Sequence, residues 1–285
     1  MKRQVIILAV ALMLTFPDLK AAFIGTKEFA AELKNNKDLV LIDVLAADAY
    51  ARQHIKGAIN IPHKDLYKLG GFEGELKAPA ELATIFGDKG VGKDSHIIIY
   101  DDGSQKYNSR VWWILKYLGA TDVNLLHKEM GELEQSRIPL TNSPTLLKPV
   151  TFSVQLNAEM NISMAGVKAQ INKPDAILLD AREKDEFDGM DKDKRSKGHI
   201  PGAKWMNFKE VLTSTGDFKT KEEIISTASK FGIDPGKEIV VYCQTGIKAA
   251  TLYVALHEIA GFANVKLYAG AYAEWAASAD NPIIK

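Results

Sequence analysis

Apolar residues in this chain come in short unbroken runs rather than in strict alternation with polar ones. "IIIY" (97–100) and "IVVY" (239–242) are apolar throughout and rich in β-branched residues. Such runs fit central strands covered by helices on both faces. Each is followed by a glycine-bearing loop, an amphipathic stretch ending near Gly119 or Gly261, and a further apolar run. Earlier in each half an apolar run ends in aspartate: "LVLID" at Asp43 and "AILLD" at Asp180. A charged, helix-like stretch comes next, then His-Ile-x-Gly-Ala at His54 and His199, then a short apolar run. The same elements in the same order predict two copies of one α/β unit. Each copy is expected to be a mainly parallel sheet flanked by helices.

Between the copies, "SRIPLTNSPTLLKPVTFSVQ" holds three prolines and few charges, the pattern of a linker. This places the domains at residues 23–140 and 157–285, joined by 141–156, and a length of 285 residues accommodates two such units. Functional crevices in such folds lie beyond the carboxyl ends of the strands. Cys243 falls at one such end and Asp101 at the matching place in the first copy.

Charge narrows the function classes. Thirty-six basic and 36 acidic residues cancel, so nothing favours nucleic acid or an anionic membrane as partner. A single cysteine forms no intramolecular disulfide, and no Cys/His cluster suggests a metal. "MKRQVIILAVALMLTFPDLKAA" has two basic residues, an apolar run from Val5 to Leu14 too short to span a bilayer comfortably, and a polar exit. It reads as a secretory signal over residues 1–21, cut after Ala21, with export to a bacterial periplasm; an uncleaved anchor is the alternative.

The loop from Cys243 is Gln244-Thr245-Gly246-Ile247-Lys248, and helical character begins near Ala249. Glycine allows the backbone to turn so that amide N–H groups converge, and the following helix adds its unpaired first amides. Both favour an anion at the loop centre, so the thiol is expected to have a lowered pKa and to be nucleophilic. The plain alternative is a buried structural cysteine.

With these residues in view, the chain resembles the tandem-domain rhodaneses over nearly its whole length. The resemblance rests on Asp43 with "HIKGAINIP", Asp180-Ala181-Arg182 with "GHIPGA", "SRVWW", and the six-residue loop Cys243 to Lys248. It implies a sulfurtransferase whose first domain is inactive, Asp101 standing in place of the nucleophile. Cys243 would attack the outer sulfur of a small anionic donor, carry a persulfide, and yield it to cyanide, a thiol or a sulfur-accepting protein. Loop amides would hold the charged sulfur, and neither metal nor organic cofactor is required. At the motif position of Arg182 the family binds the substrate anion. The plain reading is a surface arginine paired with Glu183 or Asp185. On the family reading, Arg182→Ala raises the donor requirement and leaves folding intact.

Departures bear on the donor. Thiosulfate-preferring members carry a basic pair after the cysteine, where this chain has Gln244 and Thr245. Mercaptopyruvate-preferring members carry Gly-Ser-Gly, which Thr245-Gly246 matches only in its hydroxyl. They also use a second arginine, and Glu186-Phe187-Asp188 supplies none. Lys248 reads equally as a substitute charge or as a solvated lysine. Both donors stay open, with thiosulfate ahead because a simple inorganic anion demands fewer contacts.

Other stretches carry less. His54 and His199 recur in both copies, including the one without cysteine, which indicates a structural hydrogen bond. The charged insertion "DGMDKDKRSKGH" (188–199) reads as a solvated loop, with a lid as the alternative. Trp112 and Trp113 read as packing, at a domain interface. Two competing functions are a cysteine-dependent phosphatase, disfavoured because Ala249 stands where its arginine would, and a non-turnover sulfur carrier.

Overall fold

The structure, a computed structural model, describes residues 23–285 apart from 127–132, 134 and 193–195. The expected signal segment lies outside the described residues. Among the described residues, no helix is long and apolar enough to cross a membrane.

In the first half, strands β1 (Phe23–Ile24), β2 (Leu39–Asp43), β4 (Ile59–Asn60), β5 (His96–Tyr100) and β6 (Asp122–Leu126) form one sheet in the order β1-β6-β5-β2-β4. Every pairing in it is parallel. Strand β3 (His54–Ile55) pairs antiparallel with β7 (Leu140–Thr141) at its side. Helices α1 (Thr26–Asn35), α2 (Ala47–Arg52), α3 (Pro79–Asp88) and α4 (Tyr107–Tyr117) connect these strands.

The second half builds a smaller sheet from β8 (Ala176–Asp180), β9 (Lys204–Trp205), β10 (Glu238–Tyr242) and β11 (Val265–Leu267), in the order β11-β10-β8-β9 and again parallel. Its helices are α5 (Met164–Gln170), α6 (Lys184–Phe187), α7 (Lys221–Lys230), α8 (Ile247–Tyr253) and α9 (Ala271–Ala277). The central strands are buried beyond their first residue, as their unbroken apolar runs predict. The helix after the cysteine differs from expectation: it begins at Ile247, and beyond Tyr253 it widens into a π-helical segment, Val254–Ile259.

Register sets the functional edge. Asp43 lies beside Tyr100 and Asp180 beside Tyr242, so each strand-end aspartate flanks the loop that leaves the next strand. The two recurring histidines have matching surroundings. His54 stacks on Tyr50 and contacts the Tyr50 carbonyl through Nδ1 at 2.7 Å. His199 stacks on Phe187 and contacts the Phe187 carbonyl at 2.9 Å. Each ring ties the end of a short helix to the turn that follows, a structural role.

The halves share one apolar core, because α4 packs against α8. Trp112 lies 6.5 Å from Tyr253 across this contact and donates from its indole to the Val123 carbonyl. The segment between the halves runs along the first one. Val150 and Gln155 donate backbone bonds to Gly87 and Leu118, and Phe152 buries its ring near Phe86. Burial of that one phenyl ring is worth about 1.5–3 kcal/mol, enough to hold the strap down.

Two small hairpins complete the arrangement. One, bridged at Tyr67 and Leu76, brings Gly74 against Thr245 of the cysteine loop. The other, bridged at Leu212 and Phe218, brings Gly216 against Gly103 of the matching first-half loop. Each half therefore covers the strand-end loop of the other.

Candidate active site

Strand β10 delivers Cys243 to the carboxyl edge of the sheet, and the backbone then curls round its sulfur. Gly246 makes the curl possible with φ of +82°, and its N–H donates to Cys243 Sγ at 3.2 Å. The amides of Thr245 and Ala249 also act on the sulfur. The carbonyls of Cys243 and Gln244 accept from Tyr272 and Ala273 of α9, which fixes the loop from behind. The result is a cradle of N–H groups around one sulfur atom.

Thiol ionisation departs from expectation. Cys243 is 1% exposed, and burial, the largest influence, pushes its pKa above the ordinary thiol value. The amides of Ala249 and Thr245 and the charges of Lys248 and Arg110 pull it down without offsetting the loss of water. The lowered pKa expected from the loop alone is thus corrected, because the opposite half covers the site.

Arg182 is corrected as well. It is fully buried and its guanidinium is spent locally: Nε and Nη2 grip Asp180, Nη1 donates to Ser196 Oγ, and Nη2 also donates to the Gly198 carbonyl. Its carbon lies 4.0 Å from the Tyr272 ring centroid. It clamps the strand end to the segment before His199 and does not offer itself to an anion in the crevice. Of the charged insertion, Ser196 is buried in this clamp, while 193–195 lie outside the described residues.

The remaining loop residues divide. Lys248 is half-buried, 3.2 Å from Glu186 Oε2 and 3.7 Å from Glu183 Oε1, so two carboxylates already answer its charge. Thr245 lies under Gly74, and Ile247 opens α8. Gln244 has its side-chain oxygen buried without a hydrogen bond.

Sequence reasoning missed Arg110. It comes from α4 of the first half, is fully buried, and reaches across to the second. A methyl group placed on Gly246 would meet the carbon and both terminal nitrogens of this guanidinium at 2.9 Å, so glycine and guanidinium lie against each other. Around it sit His63, stacked on Tyr107 at 4.2 Å, and Tyr67. Burial, reinforced by the charges of Lys64 and Arg110, pulls His63 down to about 4, so it is neutral at ordinary pH. The available signal was a charged residue beside Trp112 and Trp113 on an otherwise apolar helix face.

One buried sulfur, an amide cradle and an adjoining cation lie between two repeated parallel-sheet domains, an arrangement suited to cysteine-dependent group transfer. Comparison with known proteins specifies it further. The model of the rhodanese-like domain matches residues 26–134 and again 163–278. A probable 3-mercaptopyruvate sulfurtransferase of Pseudomonas aeruginosa is 32% identical over 92% of this chain and 98% of its own. A thiosulfate sulfurtransferase of the same organism is 25% identical over 86% of this chain and 91% of its own. The crystal structure of SseA from Escherichia coli, a 3-mercaptopyruvate sulfotransferase with the rhodanese fold, superposes with a TM-score of 0.81 at 27% identity. That match covers 88% of this chain and 98% of the other. The chain belongs to the rhodanese family.

Proposed function

We propose that this chain moves sulfur from a small anionic donor to a thiol or cyanide acceptor, with Cys243 as the nucleophile and Gln244 to Lys248 as its cradle. One observation carries the reading: backbone amides converge on the only thiol of a chain whose family relatives are named sulfurtransferases. The closed thiol is uncharged. On donor binding it gives up its proton to solvent. The thiolate then attacks the donor sulfur, forming the new S–S bond while the old bond to that sulfur breaks. With thiosulfate, the bonding pair leaves on sulfite. With 3-mercaptopyruvate, it leaves on carbon, which takes the donor thiol's proton and departs as pyruvate. Either way the enzyme retains an anionic persulfide, stabilised by the amides that face it. An acceptor thiolate or cyanide removes the outer sulfur and regenerates Cys243.

Charge favours the mercaptopyruvate type of donor. Glu183 and Glu186 largely neutralise Lys248, which leaves the Arg110 guanidinium as the uncompensated charge beside the cysteine loop, a better match for a single carboxylate than for a dianion such as thiosulfate. This reverses the preference that loop composition alone suggests. We place the two units at 23–140 and 157–285, and take residues 1–21 as an export signal directing the chain to the periplasm; retention of Met1 in the mature protein would remove that last assignment.

Steady-state assays with each donor and a cyanide or dithiol acceptor test the activity. Pyruvate should be released with a larger kcat/KM than sulfite, and Cys243→Ser should release neither. A single sulfur loaded per chain without turnover would instead make the protein a carrier.

A further inference from the structure

We propose that Arg110, carried by the first half, binds the anionic head of the donor at the cysteine of the second, so that the half without a nucleophile supplies an essential part of the one active site. The inference rests on the sulfur-transfer reading above and names the group that recognises its substrate.

Four observations converge. First, Arg110 is fully buried, yet its Nε and Nη1 have no hydrogen-bond partner, and Nη2 has only a long contact, 3.4 Å, to the Ala269 carbonyl. Second, no ion pair to this guanidinium is found among the described residues. Arg182, equally buried, is held by a carboxylate, a hydroxyl and a carbonyl. A desolvated guanidinium without an anion is costly, and a fold retains one where an anion will arrive. Third, the guanidinium lies against Gly246, the residue whose N–H faces Cys243 Sγ, so its charge sits at the reacting atom's own loop.

Fourth, two further buried polar atoms without hydrogen-bond partners accompany it: Tyr67 Oη and His63 Nδ1. Tyr67 Oη faces the Arg110 guanidinium closely enough to interact with it directly and is within the electrostatic reach of Cys243, and His63 is within that of Arg110. A carboxylate or sulfonate head would satisfy the guanidinium and the phenol together, since both donate hydrogen bonds. The neutral imidazole can donate as well. The donor's sulfur would then point toward Cys243.

Charge-selective alkylation of Cys243 tests this independently of turnover. Iodoacetate carries a carboxylate and iodoacetamide does not, while both transfer the same carbon to the same sulfur. In the wild-type protein, the rate ratio of iodoacetate to iodoacetamide should exceed that of free cysteine. It should fall roughly tenfold in Arg110→Gln, the loss expected for a charge-assisted contact, and recover in part in Arg110→Lys. A purely structural arginine would shift both rates together and leave the ratio unchanged, which would overturn the proposal. Should the variants fail to fold, a wild-type ratio no higher than that of free cysteine overturns it as well. In the sulfur-transfer assay, Arg110→Lys should raise KM for 3-mercaptopyruvate at least about tenfold and lower kcat much less. Wild-type protein that shows no turnover but keeps the alkylation preference would refute the sulfur-transfer reading and leave the anion site standing.

Discussion

The two strand-end loops of this protein are the same device in two conditions. In the first half, Asp101 occupies the place of the cysteine, and its carboxylate accepts from the amides of Gly103, Tyr107 and Asn108 and from the Ser104 hydroxyl. In the second half, the corresponding amides surround a thiol. The first loop carries its carboxyl group as a fixed part of the chain, whereas the second is free to acquire a charged group as a persulfide. What the aspartate loop teaches is that this backbone curl turns its amides inward on whatever side chain sits at its centre.

The adjoining helices differ in a complementary way. Nine residues beyond Asp101 lies Arg110, which reaches the cysteine loop; nine beyond Cys243 lies Leu252. In the opposite direction, Thr251 donates to the Gln105 carbonyl of the first-half loop at 2.9 Å. The thiol comes from one half and the guanidinium packed against its loop from the other, so neither half alone holds the whole arrangement.

The largest effect expected comes from the nucleophile. Cys243→Ser should lower sulfur transfer on the order of a thousandfold or more, measured as pyruvate or sulfite release. Adding Asp101→Cys to that variant should not restore it, since Leu252 offers no cation to the first loop; restored turnover would erase the distinction between the halves. Next comes Arg182→Ala, which leaves the Asp180 carboxylate buried without its cation, held by the backbone amide at position 182 and the Tyr242 hydroxyl. The expected cost is about 3–5 kcal/mol of stability, read by denaturant unfolding. Unchanged stability with a raised KM would return Arg182 to the role its motif suggests.

Asp101 gives a pH signature of the filled loop. Burial, with the neighbouring Asp102 charge, raises its pKa from 3.8 to about 6. Between those values the folded chain holds a proton that the unfolded chain has released, so stability falls as pH rises through this window and levels off above it. Relative to wild type, Asp101→Asn should therefore gain stability from pH 4 to 6, up to about 3 kcal/mol. An unfolding free-energy difference independent of pH would contradict the assignment.

The smallest effect is that of Lys248→Met. Its charge lowers the Cys243 pKa, so removal should raise that pKa and reduce kcat/KM roughly two- to fivefold at neutral pH, with the difference vanishing at high pH where both thiols are ionised. A deficit that persisted at high pH would assign Lys248 to donor binding instead.

The repeat, the parallel sheets and the cysteine loop were legible in the sequence because they rest on local pattern. Unbroken β-branched runs make buried strands, and a glycine before a helix turns amides inward. Arg182 was misread because its strand-end position does not reveal that Ser196 and Gly198, more than a dozen residues on, fold back to close around it. Arg110 went unseen for a related reason. Its neighbour Gly246 is far away in sequence and belongs to the other half, and only the docking of α4 on α8 brings them together. Burial of the thiol is likewise a product of that docking, through the hairpin that sets Gly74 on Thr245. The site is thus an interface property, which motifs within one repeat cannot express.

The central claim is that Cys243 accepts and releases a sulfur atom within this cradle. Intact-mass measurement after incubation with 3-mercaptopyruvate or thiosulfate, then after addition of an acceptor, tests it most directly. The account predicts a gain of one sulfur on wild-type protein, its loss with acceptor, and no gain on Cys243→Ser. Product release with no sulfur ever bound to Cys243, or equal loading of the serine variant, would contradict it.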